Sequence, residues 1–246
     1  TINPYRTKFD PKVFAGCSLI NHLIFESTVN SIKPFDFSRF GKLTRITIPS
    51  TVNSIGSNSF KGLKSLEEVT IALSVTSIEE GSFYGCSSLE RINIPDKVTS
   101  IGKSAFYGCS SLKQIAVPSL VVSINDFTFY KCIALNSISI LSELNSIGES
   151  SFSGCSSLNQ IDIPPSLKSI SDSAFGQCSL IERISIPPSV ELIPKNAFKG
   201  CTNLKEITID PYQTKFGSEV FANCSLLNHV IIGSSVKSIE QFNFNL

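Results

Sequence analysis

Apolar and polar positions alternate along this chain on a fixed beat that returns at every twenty-third position. Phenylalanine marks it at Phe14, Phe37, Phe60, Phe83, Phe106, Phe129, Phe152, Phe175, Phe198, Phe221 and Phe244, without insertion or deletion. Taking each Phe as position 0, Leu or Ile recurs at +6 (Leu43, Leu66, Leu89, Leu112, Leu158, Leu204). Branched residues recur at +9 and +11, as in Ile46/Ile48, Ile92/Ile94, Ile161/Ile163 and Ile207/Ile209. Period-two alternation of this kind predicts a short strand with one face buried. Pro at +12 (Pro49, Pro95, Pro118, Pro164, Pro187) cannot donate to a sheet ladder and closes the strand. Val or Leu at +15 and Ile at +18 mark a second extended piece. The remaining stretch, of the form GKSAFYGCSSL, carries Ser or Asn near its start and Gly near its end, which predicts one or two turns of helix.

One such unit cannot bury its own apolar face, so neighbours must stack into a continuous parallel sheet, with a rise of about 4.8 Å per unit set by strand spacing. A tandem array places the functional question on a long repetitive surface rather than in a catalytic pocket.

The columns Leu-x-x-Ile-x-Ile-Pro and Val-x-x-Ile-Gly-x-x-Ala-Phe-x-x-Cys resemble the 23-residue leucine-rich repeat of BspA-like proteins, over essentially all 246 residues. The resemblance implies a repeat solenoid of the α/β kind: an arc with a parallel β-sheet on its concave face and short helical turns on its convex side. It implies a non-enzymatic protein-binding or adhesion module at the cell surface or secreted, contacting host or neighbouring macromolecules. The Asn ladder of longer leucine-rich repeats is missing. Position +14 reads Thr51, Ser74, Lys97, Ser166 and Ser189, so backbone groups at that corner must be satisfied in another way.

The unbroken beat predicts one domain over residues 1–246, of about ten to eleven units. TINPYRTKF at 1–9 returns as TIDPYQTKF at 208–216, nine units later, so the chain is expected to be a piece of a longer array. No signal peptide is visible and neither end shows a polar cap, which predicts a longer parent or end-to-end self-association. A structural scaffold stacking into a larger assembly, inside the cell, is therefore the alternative function.

Charged residues make up 17% of the chain and the net charge is +1, so neither nucleic acid nor an anionic membrane is an obvious partner. No apolar run is long enough for direct membrane insertion. The eight Cys share one column, +3, which holds Phe40 and Leu63 in two other units; a site accepting those residues is an apolar core site. Buried free thiols are the expectation, with disulfides or metal as lesser alternatives. Thiols in this number lean toward a reducing, cytoplasmic compartment.

Chemistry is scarce. His22 and His229, the only histidines, occupy one column nine units apart and cannot share a site. No phosphate loop or facing carboxylate pair stands out, and no cofactor or metal is expected. The sequon Asn223-Cys224-Ser225 places a core Cys in its middle. Tyr84, Tyr107 and Tyr130 predict an aromatic ladder on the convex side, either packing or a ligand stripe. Partner binding is expected on the outward-facing sheet column +8, through Arg45, Glu68, Arg91, Gln114, Gln160, Arg183 and Glu206.

Overall fold

The computed structural model describes residues 19–25, 27, 29, 31–32, 40–141, 143–209 and 215–232. Phe14, Phe37, Phe244, Cys17 and both chain ends lie outside these residues.

The segments from +8 to +11 form strands on one face of a parallel solenoid. Six of them, β1 (His22–Ile24), β2 (Arg45–Thr47), β4 (Glu68–Thr70), β6 (Arg91–Ile92), β8 (Gln114–Val117) and β10 (Ser137–Ile140), build one sheet in that order. Three more, β13 (Arg183–Ile186), β15 (Glu206–Ile209) and β17 (His229–Ile232), build a second block. Register follows the repeat: Arg45 pairs with Glu68 and Ile46 with Val69, each partner one full unit further along. Side chains at +9 and +11 point into the core while their neighbours face water, as alternation requires.

The +17/+18 pieces pair along a second face. They are β3 (Ser54–Ile55), β5 (Ser77–Ile78) and β7 (Ser100–Ile101), then β9 (Ser123–Ile124), β11 (Ser146–Ile147) and β12 (Ser169–Ile170), then β14 (Leu192–Ile193) and β16 (Lys215–Phe216). A turn at the proline corner joins the two faces, closed by bonds such as the Val98 amide to the Pro95 carbonyl, 3.0 Å.

The expected helical turns on the convex side are not there: no helix occurs among the described residues. Backbone geometry gives the reason. Position −2 (Asn58, Ser104, Ser150, Ser173, Asn196) and position +2 (Gly62, Gly85, Gly108, Gly154, Gly200) both take positive φ, between 49° and 79°, and two such residues four apart forbid an α-helix. Alternate amides point along the solenoid instead. Asn58, Phe60 and Gly62 donate to the carbonyls of Glu80, Ser82 and Tyr84 on the next coil, at 2.8, 2.8 and 2.7 Å. The amides between them, Ser59, Lys61 and Leu63, close four-residue turns onto Gly56, Asn58 and Phe60. A helix would keep every amide within its own coil; this backbone gives half of them to its neighbour, so coils are bonded to each other on the convex side as on the sheets.

The core repeats with the same pitch. Phe60, Phe83, Phe106, Phe129, Phe152, Phe175, Phe198 and Phe221 stack ring on ring through eight turns, with centroids 5.4–6.0 Å apart. The described cysteines are all free and buried. Each thiol donates to the Phe carbonyl of the coil before it, from Cys86 on Phe60 at 3.1 Å to Cys224 on Phe198 at 3.1 Å. The column is thus a small apolar residue with one added hydrogen bond between coils. Burial pushes the Cys86 thiol up to about 12 and holds Cys109, Cys132, Cys155 and Cys178 well above the ordinary thiol range.

Hydroxyls replace the missing Asn ladder. Thr51, Ser74, Ser166 and Ser189 donate to the +15 carbonyls of the preceding coil at Val29, Val52, Leu144 and Leu167. One short side chain satisfies the corner in each of these four coils, whereas Lys97, Leu120 and Glu143 hold the same position in the three coils between.

Candidate functional site: the concave sheet face

The core claims every fixed column, so the residues free to vary in chemistry lie outward. On the sheet they form three lanes at +7, +8 and +10. The parallel register brings the side chains of the +8 lane together in the order His22, Arg45, Glu68, Arg91, Gln114, Ser137. The order continues through the single bridge between Ser137 and Gln160, and resumes as Arg183, Glu206, His229. The seven residues expected to bind a partner therefore share one repeat position but fall in two runs, Arg45, Glu68, Arg91, Gln114 and Gln160 in the first and Arg183 and Glu206 in the second. Arg45, Arg91, Gln114, Gln160 and Arg183 are exposed, and Glu68 and Glu206 are half-buried.

The +7 lane is partly neutralised. Glu90 pairs with Lys113 at 2.9 Å and Glu182 with Lys205 at 3.1 Å. The Lys113 ammonium holds the Glu90 carboxyl below the usual carboxylate range. Arg45, Arg91 and Arg183 form no ion pair with a described residue. Their guanidinium groups, each with donors in a rigid fork, project over the sheet.

The +10 lane is short: Thr70, Asn93, Ala116, Ser139, Asp162, Ser185 and Thr208. Long +8 side chains beside this low lane produce concavities. One of about 450 Å³ is bordered by Glu68, Arg91, Asn93 and Gln114. A larger one of about 750 Å³ is bordered by Gln160, Asp162, Glu182, Arg183 and Glu206.

The larger concavity coincides with a break in the sheet. The turn carrying Gln160 contributes only its bridge to Ser137, and β10 and β13 are not joined into one sheet. Bonds from the +7 amide to the preceding +7 carbonyl run Glu90 to Glu67, Lys113 to Glu90 and Asn136 to Lys113, then resume at Lys205 to Glu182. At the break the side-chain Nε2 of Gln160 donates to the Asp162 carboxylate of the same segment, 3.2 Å away. No sequence signal marked this position, because Ile161 and Ile163 keep the strand pattern there.

His22 bonds Thr47 at 3.0 Å and His229 bonds Asn228 at 2.6 Å, both at exposed sites at opposite ends of the face. Among the described residues no group of three His, Cys, Asp or Glu side chains could hold a metal ion. No helix among them is long and apolar enough to cross a membrane.

Register, period and columns agree with a single repeat family, the BspA type Leucine rich repeat region (6 copies), which matches this chain twice, over residues 7–133 and 122–246. The chain belongs to the BspA-type leucine-rich-repeat family. Among solved structures, this BspA-type chain is similar to a leucine-rich repeat protein from Bacteroides ovatus, at 30% identity and a TM-score of 0.66, covering 85% of this chain and 66% of that one. A leucine rich cell surface protein from Faecalibacterium prausnitzii follows at 28% identity and a TM-score of 0.52, covering 81% and 62%. The leucine-rich repeat protein of T. pallidum follows at 27% and 0.60, covering 85% and 84%. The chain thus spans just under two thirds of the length of the first two. No curated protein sequence matches it. Family and fold together make the chain a repeat protein-interaction module, of a family that is generally non-enzymatic.

Proposed function

We propose that the concave face is an adhesion surface: it binds a protein partner at the cell surface or outside the cell, with Arg45, Glu68, Arg91, Gln114, Gln160, Arg183 and Glu206 as the contact lane. The observation that carries this reading is the row of exposed arginines without ion-pair partners among the described residues, set between in-register acidic and amide side chains above a low lane. Arginine is enriched among the residues that dominate protein interfaces, and it binds carboxylates through two parallel hydrogen bonds. These seven positions carry no aromatic ring, so sugar stacking has nothing to use there, whereas a polypeptide supplies the carboxylates and carbonyls that Arg and Gln recognise.

A surface or secreted setting is supported by similarity to the F. prausnitzii cell surface protein. The thiols do not argue for a reducing compartment, because burial and a raised pKa keep them unreactive wherever the chain resides.

The test is binding to an array of extracellular proteins by the chain and by its Arg91→Glu/Arg183→Glu variant. Charge reversal at two interface arginines lowers affinity at least about tenfold, more strongly at low salt, with unchanged melting temperature. Equal binding by both chains to every captured protein overturns the proposal.

A further inference from the structure

On the convex side one feature stands outside the lane described above. Tyr84, Tyr107 and Tyr130 occupy position +1 of three successive coils; Tyr84 and Tyr107 stack face to face, and Tyr130 continues the ladder with its ring tilted. Ring centroids are 4.4 Å apart between Tyr84 and Tyr107 with planes 10° from parallel, and 4.7 Å apart between Tyr107 and Tyr130 with planes at 31°. These separations lie at the short end of the range for aromatic pairs, about 4.5–7 Å, so the rings are in direct contact. The backbone fixes them there. Gly85 donates to the Tyr107 carbonyl and Gly108 to the Tyr130 carbonyl, both at 2.7 Å.

The two outer faces of the stack are covered. The Lys61 ammonium lies 4.9 Å from the Tyr84 centroid and the Lys131 ammonium 5.3 Å from that of Tyr130. Phe127 meets Tyr130 edge-on at 5.9 Å, and the Lys103 ammonium sits 5.4 Å above the Phe127 ring. Only the two inner interfaces bring one phenol face against another. All three tyrosines are half-buried, so a small oxidant reaches their edges while a second protein chain does not reach their inner faces.

We propose that this stack is an oxidative modification site: a one-electron oxidant of the peroxidase and hydrogen peroxide class joins Tyr84 to Tyr107, and Tyr107 to Tyr130, as dityrosine within one chain. Each phenol gives up its hydroxyl hydrogen, as one electron and one proton, to the oxidant. The unpaired electron of a phenoxyl radical is shared with the ring carbons ortho to oxygen and lies above and below the ring plane. Two stacked radicals therefore pair their electrons directly across the interface, forming one bond between an ortho carbon of each ring. Each of those carbons then passes its hydrogen, through water, to its own oxygen and restores the phenol. Hydrogen peroxide takes the two hydrogens removed from the pair and leaves as two waters. The fold supplies the encounter geometry in advance, which is the usual source of a large intramolecular advantage. Tyr107 has two ortho carbons and can join both neighbours, stitching three coils.

Desolvation, followed by the neighbouring phenols, raises the Tyr107 pKa, so the central phenol holds its proton more firmly than an ordinary tyrosine. This agrees with oxidation by combined loss of an electron and a proton.

The experiment treats the chain with a haem peroxidase and hydrogen peroxide at low protein concentration, then reads dityrosine fluorescence and cross-linked peptide masses. The chain carries five tyrosines, the other two being Tyr5 and Tyr212. The expected products are monomeric, two hydrogens lighter per link, and join peptides containing Tyr84, Tyr107 and Tyr130. Tyr107→Phe keeps the stack and the circular dichroism spectrum and loses both links. A Tyr5→Phe/Tyr212→Phe chain keeps them at wild-type yield. Absence of dityrosine, links found only between chains, or links that persist at full yield in Tyr107→Phe would each overturn the proposal.

Discussion

Each residue of a stacked coil answers to two neighbours, and its tolerance follows from which of them it touches. Gly102 shows this most sharply. A Cβ there would lie 2.5 Å from the Glu80 amide nitrogen and 2.6 Å from the Glu79 carbonyl carbon, both backbone atoms of the preceding coil. Gly102→Ala is expected to cost about 2–3 kcal/mol in urea unfolding, at the upper end of the range for overpacked core substitutions. Gly62 has open space around it but sits at φ +78°, so Gly62→Ala is expected to cost only about 1–2 kcal/mol, the left-handed penalty alone. A ranking in the opposite order would show that inter-coil contact at Gly102 is not tight.

The thiols give a pH dependence with a definite sign. Folding raises the pKa of Cys86 from 9.0 to about 12, and burial raises the other buried thiols well above that starting value. A raised folded-state pKa adds stability below the unfolded value, and that stability is lost as pH rises toward the folded one. Stability should thus be insensitive to thiol ionisation up to about pH 8. Above pH 9 it should fall by about 1.4 kcal/mol per pH unit for each buried thiol. Urea melts from pH 7 to 10 check this. A chain that keeps its full stability at pH 10 would place the thiols in contact with water.

At the scale of elements, the strands were legible in the sequence and the convex segment was not. Ile46, Ile92 and Ile207 announce their strands by alternation, and Pro49, Pro95 and Pro118 announce where they end. The stretch around each Phe has helix-like ends, because Ser and Asn open it and Gly closes it. Those same residues serve here as left-handed positions, and the side chains that fill −2 and +2 carry that signal only when all coils are aligned. Helix and left-handed turn share their punctuation, so local chemistry could not separate them. The convex bonds make a prediction of their own. The amides of Phe83, Phe106 and Phe129, which donate across coils at 2.8–2.9 Å, should exchange with deuterium as slowly as those of Ile92 and Ile115. Exchange at rates typical of open loops would mean that the convex ladder does not hold coils together.

At the scale of the molecule, sheets on two faces, the convex ladder, the phenylalanine stack and the thiol bonds all repeat on one pitch. Little is left for function except what faces outward. The lane from Arg45 to Glu206 was readable because parallel register follows from a gapless repeat, which puts equal positions side by side. The break at Gln160 was not readable, since Ile161 and Ile163 keep the strand pattern while the pairing to the next coil lapses. The claim that fixed columns fold and the concave lane binds is tested most directly by photo-crosslinking a captured partner from single positions. A photoreactive residue is placed in turn at Gln114 and Gln160 on the concave face, and at Lys64 and Ser110 on the convex side. Labelling of the partner from Gln114 and Gln160 alone is the expected result; labelling from Lys64 or Ser110, with none from the sheet, would contradict it.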